Sequence, residues 1–114
     1  MSKFNVVKKG TAKKILNGSL EYTIRAFGNE LFIDSRNNEN GYSTPERISV
    51  TEIENCLENI IYSKAFTPLF KIKSTNNAPF LTAILLAENL IEPIGRNIYI
   101  STGNWQNWRN KLLS

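Results

Sequence analysis

The sequence predicts an α+β domain, and three observations carry that reading. The run at 20–27, Leu20-Glu21-Tyr22-Thr23-Ile24-Arg25-Ala26-Phe27, alternates apolar and polar residues, as a strand with one buried face does. Gly28-Asn29 and a second β-rich run through Asp34 follow it, so the pair reads as an antiparallel hairpin over about 20–34. Two stretches of helical periodicity, 50–64 and 77–91, then alternate with short strand-like runs, the pattern of helices set among antiparallel strands. At 114 residues the chain is expected to form one domain, 1–114, because two halves would each be too small for a good core.

The elements follow in order. Ala12, Ile15 and Leu16 fall at helical spacing, so 11–17 is expected to be a short helix stopped by Gly18. After the hairpin, 35–48 is polar and Asn-rich, with Gly41 and Pro45, and reads as a long loop. Ser49-Val50-Thr51-Glu52 has the form of a capping box and opens a helix over 49–64, with Ile53, Cys56, Leu57, Ile60 and Ile61 as its buried stripe. Within 66–74, Pro68 precedes an alternating run that reads as a short strand. The 77–91 helix carries Pro79 in its first turn and ends before Pro93. Its apolar residues cover more than half its circumference, so it either lies at the centre of the core or offers a second face to a partner. A turn and strand over 94–100 precede a short C-terminal helix that Asn104 can cap, with Trp105, Trp108 and Leu112 on one face.

Composition excludes much chemistry. The chain has no histidine and one cysteine, which removes Ser-His-Asp and Cys-His nucleophiles, His-ligated zinc and internal disulfides. Cys56 reads as a small buried hydrophobe. The glycines are scattered, so no phosphate-binding loop is present. Asp34 and Lys73 lack the acid that a metal-dependent nuclease needs two residues before its lysine, since that position is Lys71. Glu52, Glu54 and Glu58 read as a helix cap and a solvated face rather than as a glycosidase pair. A non-enzymatic protein without cofactor or metal is expected. No signal-peptide core opens the sequence and no window approaches the roughly 20 apolar residues of a membrane span, which suggests a cytoplasmic protein. The abundance of Asn, Ile and Lys is what an AT-rich coding source, bacterial or phage, would produce.

Charge gives the functional lean. Residues 1–19 carry +5, residues 20–63 carry −5 and residues 64–114 carry +4, for a net +4. Basic ends brought to one face would suit a polyanion. The expected nucleic-acid contacts are Lys8, Lys9, Lys13, Lys14, Lys71, Lys73 and Arg96 on phosphates, with Asn76 and Asn77 at the start of the 77–91 helix. Trp105 or Trp108 could stack on bases beside Arg109. The alternative is a protein partner, including a homodimer, held by the apolar face of the 77–91 helix.

Over 76–100, a helix ending in Leu90-Ile91, then Gly95-Arg96 at a turn, then a strand at Ile98-Tyr99-Ile100 is similar in layout to the last third of winged-helix domains. The resemblance covers about a quarter of the chain and implies a helix packed beside a β-hairpin. It departs from the family before Asn76, where a strand is expected in place of the first helix of the helix-turn-helix. It departs again in the 77–91 helix, which has few side chains able to read base edges apart from Asn76, Asn77 and Thr82.

Overall fold

In the computed structural model, residues 4–13, 18–36, 46–69 and 77–114 are described. Four antiparallel strands form the first sheet in sequential order: β1 (Asn5–Lys13), β2 (Ser19–Phe27), β3 (Glu30–Arg36) and β4 (Glu46–Ser49). The expected hairpin is β2 and β3. Gly28 at φ 63° makes its two-residue turn, a left-handed conformation that glycine adopts without strain. Leu20, Tyr22, Ile24 and Ala26 of β2 point to the core with Leu31 and Ile33 of β3 and Ile48 of β4.

Two expectations around this sheet are corrected. Residues 11–13 are the end of β1 rather than the start of a helix; residues 14–17 lie outside the described residues. Seven residues are too few for a stable isolated helix, whereas Gly10 and Ala12 can pair with Tyr22 and Leu20 and bury against the core. The expected 35–48 loop also contains structure at both ends, the last residues of β3 and all of β4, with 37–45 outside the described residues.

The expected 49–64 helix is much shorter. It is α1 (Val50–Asn55), capped by Ser49, whose hydroxyl accepts from the Glu52 amide at 3.4 Å. Glu30 supplies the carboxylate at this end, accepting from the hydroxyls of Ser49 and Thr51 and from the Thr51 amide. Beyond Cys56 the chain enters β5 (Ile61–Tyr62), because Ile61 buries itself in pairing with Tyr99. A β-branched residue gains more in that strand than in another helical turn. Ile60, expected in the core, is consequently exposed, and Leu57 is half-buried.

A 3-10 helix (Ser63–Leu69) occupies the part of 66–74 that is described, in place of the expected strand. Pro68 has no N–H for a sheet ladder, and Phe66 is fully buried. Then comes α2 (Asn77–Ala87), four residues shorter than expected. Its stop is Asn89 rather than Pro93. At φ 61° Asn89 lets its own amide reach the Leu86 carbonyl while Leu90 donates to Leu85, the paired bonds of a Schellman cap. Strands β6 (Ile91–Gly95) and β7 (Ile98–Ser101) form a second hairpin, and β5 joins it in the sheet order β5-β7-β6. The chain ends in α3 (Trp105–Leu113). Asn104 makes no side-chain cap; its side-chain Nδ2 instead donates to the Asn89 carbonyl at 3.2 Å.

Helix α2 is the centre of the core. It packs on β1 and β3 of the first sheet, on the 3-10 helix and on β6. Leu81, Thr82, Ala83, Ile84 and Leu85 are all buried, so most of its apolar circumference is used within one chain. The surface expected to face a partner is in large part packed against the first sheet, the 3-10 helix and β6, with Phe80 and Leu86 half-buried. Of the described residues, no helix is long and apolar enough to cross a membrane.

Candidate nucleic-acid interface

The expected contact residues are distributed over several surfaces. Lys14, Lys71, Lys73 and Asn76 lie outside the described residues. Asn77 begins α2, whose central residues Leu81 to Leu85 are buried. Arg96 is exposed in the turn between β6 and β7, on the second sheet. Arg109 of α3 is committed to an ion pair with Glu54 at the end of α1.

Lys8 has an internal role. A register shift between Val6 and Lys8 turns β1 so that Lys8 pairs with Ile24 on the inner side of the sheet. Its ammonium meets Glu88 at 2.8 Å. The Glu88 carboxylate is buried at the end of α2, next to unpaired helix carbonyls, a position unfavourable to negative charge. Burial also raises its pKa, yet hydrogen bonds from Lys8, Tyr22 and Trp108, with the Lys8 charge, outweigh this and hold it below the ordinary carboxylate value. Tyr22 is pushed well above the usual phenol value by burial, and then by its bond to Glu88. Gly10 makes the arrangement possible, since a Cβ there would lie 2.4 Å from the Tyr22 hydroxyl oxygen.

The tryptophans hold the C-terminal helix in place. Trp105 is buried, with its indole N–H donating to the Ser101 hydroxyl at 2.9 Å. Trp108 donates to Glu88 at 2.9 Å and meets Trp105 edge-on, ring centroids 6.3 Å apart. Both indole N–H groups are thus committed to partners within the chain, and Trp108, expected to stack on bases beside Arg109, is half-buried.

The outer face of the β1–β4 sheet has the combination the sequence reading sought elsewhere. Strand register places Lys9, Thr23, Asp34 and Arg47 in one row across it, with Arg25, Phe32 and Ser49 in the next. Lys9 and Lys13 are exposed along β1, and neither has an ion-pair partner among the described residues. Asp34 is buried beneath two guanidinium groups, Arg25 at 2.6 Å and Arg47 at 3.3 Å. One carboxylate against two cations leaves a positive excess at this spot. Phe4 lies on Phe27 and Phe32, with ring centroids 4.9 and 5.0 Å away, and the Arg47 guanidinium sits 4.4 Å above the Phe4 ring. A shallow groove between β1 and β2, lined by Lys9, Thr11, Glu21 and Thr23, runs beside this cluster.

Sequence reasoning missed Phe4, Phe27, Phe32, Arg25 and Arg47. The signal was present for Arg25 and Phe27, because the alternation that sends Leu20, Tyr22, Ile24 and Ala26 inward sends Glu21, Thr23, Arg25 and Phe27 outward. Nothing in the sequence tells that Phe4 folds onto that face. Among the described residues, no cluster of three His, Cys, Asp or Glu could hold a metal. No known protein family matches the sequence, and no curated protein or solved structure is significantly similar to it.

Proposed function

We propose that the chain is a non-enzymatic nucleic-acid-binding module that takes single strands on the outer face of its β1–β4 sheet. The observation that carries this reading is the meeting, on one open face, of the free lysines Lys9 and Lys13 with the Phe4–Phe27–Phe32 cluster and its overlying Arg47. Lysines along a strand attract the phosphate backbone, while aromatic rings stack on bases with little regard to sequence. A flat sheet admits unpaired bases, which a duplex keeps inside its stack. The winged-helix layout supports this reading only weakly. The helix such a domain would insert into DNA is α2, which is buried here, so binding is assigned to the sheet.

Fluorescence anisotropy with a labelled single-stranded oligonucleotide and its duplex tests the proposal. The single strand should bind more tightly, and its log affinity should fall with log salt at about −0.7 per phosphate engaged. Lys9→Gln with Lys13→Gln should flatten that slope by about 1.4. Phe27→Ala should weaken single-strand binding about tenfold while leaving the slope unchanged, as loss of one stacking contact of about 1–3 kcal/mol requires. No binding of either strand form at low salt and tens of micromolar protein would refute the reading.

A further inference from the structure

We propose that the outer face of the β5-β7-β6 sheet is a self-complementary surface through which two copies of the chain pair about a two-fold axis. Three of the most exposed large hydrophobic side chains among the described residues belong to this small sheet or its margin: Tyr62 at 56%, Ile94 at 54% and Ile60 at 45%. Register places Tyr62 opposite Ile98 and Ile100 opposite Glu92, on the side away from the buried pair Ile61 and Tyr99. Ile60 immediately precedes β5 and is exposed at its margin. Ile98 and Ile100 are only half-buried, so the face is mainly aliphatic with one phenol, and the Glu92 carboxylate borders it on the edge strand. Apolar strips of this kind mark surfaces that a partner covers.

The rim identifies the partner. Glu92 on β6 and Arg96 just past its end, in the turn to β7, are exposed on either side of Ile94, and neither has an ion-pair partner among the described residues. When two such sheets face each other, an axis lying between them, perpendicular to the strands and passing by Ile94, sets Glu92 of each copy against Arg96 of the other. The same contact then forms twice, as an isologous interface requires. An axis parallel to the strands would instead oppose like charges. Pairing edge to edge is disfavoured on β6 because Pro93 lacks an N–H and the register breaks between Pro93 and Gly95. The other edge, β5, is only 2 residues long and offers little to pair with, so face-to-face packing is favoured.

Sedimentation equilibrium over a concentration series from low micromolar to sub-millimolar reads this out. The wild type should show a monomer–dimer equilibrium. Ile94→Asp and, separately, Ile60→Asp should sediment as monomers, with far-ultraviolet circular-dichroism spectra like the wild type because both positions are exposed. Glu92→Lys alone and Arg96→Glu alone should each weaken the dimer about tenfold or more, since like charges then oppose. The two reversals combined should restore it. A wild type that is monomeric at every concentration overturns the proposal, as does a dimer indifferent to both aspartates. A double reversal no tighter than the single ones overturns the two-fold arrangement.

Discussion

On the β1–β4 sheet, the solvent face is occupied by charge and by aromatic rings already in contact with one another. Lys9 and Lys13 line its free edge, two arginines cover Asp34, and Phe4 lies over Phe27 and Phe32. On the β5-β7-β6 sheet, the solvent face is aliphatic, and its charges, Glu92 and Arg96, stand at the rim. The inner faces are alike, since Ile24 and Ile33 are buried on one and Ile61 and Tyr99 on the other. The difference teaches that one core presents two chemistries to its surroundings. A cationic, aromatic face attracts a polyanion, and an apolar face is stable in water alone but gains most from a partner of its own kind.

The comparison presumes that both sheets rest on one core, and Leu81→Ala tests this with the largest expected effect. Leu81 is fully buried in α2, the helix that touches β1, β3, the 3-10 helix and β6. The change should cost about 3–5 kcal/mol. Chemical denaturation followed by far-ultraviolet circular dichroism and by tryptophan fluorescence should give one coincident, shifted transition. Two separated transitions would mean that the sheets unfold independently.

A smaller effect is expected at Glu88, which ties the first sheet to α3 through Tyr22, Lys8 and Trp108. Glu88→Gln should cost about 2–3 kcal/mol, because an acceptor shared by three donors is weakened inside the core. The pH dependence has a definite sign. The folded pKa of Glu88 lies below its unfolded value of about 4.3, so its contribution is complete above that pH and is lost as pH falls through the folded value. Tyr22 is shifted upward, so its contribution holds below about pH 10 and is lost as pH rises beyond it. Thermal melts across pH should show the acid-side loss reduced in Glu88→Gln and the alkaline loss reduced in Tyr22→Phe.

The smallest effects distinguish the two outer faces. Lys9→Gln and Ile94→Gln should each change stability by less than about 0.5 kcal/mol, because both side chains are exposed. Denaturant midpoints at protein concentrations where the wild type sediments as a monomer check this. A larger loss in either would mean that the residue packs against its own chain and that its face is part of the fold.

Much of the fold was legible where local signals and tertiary contacts agree. The 20–34 hairpin has both strand alternation and a glycine turn, and Ser49 caps α1 as its sequence implies. It was illegible where a distant strand decides. Neither a glycine nor a proline marks the end of α1; the pairing of Ile61 with Tyr99, 38 residues later, draws the chain out of the helix. Helix α2 was legible as apolar all round, but the sequence could not tell burial between layers from exposure to a partner. The interface suffered most. Lys8 and Arg109 look like any surface cations in the sequence, and only the fold shows them paired with Glu88 and Glu54. Phe4 was hidden for the converse reason, because an N-terminal aromatic reaches Phe27 and Phe32 only after three strands have assembled.

The central claim, that the β1–β4 outer face is the nucleic-acid surface, is tested most directly by titrating the isotope-labelled protein with a short single-stranded oligonucleotide and following backbone amide shifts by nuclear magnetic resonance. The account predicts progressive, salt-sensitive shifts at Lys9, Thr11, Thr23, Phe27 and Phe32, with Tyr62, Ile98 and Ile100 unmoved. Shifts confined to the β6–β7 turn around Arg96, or none at all, would contradict it.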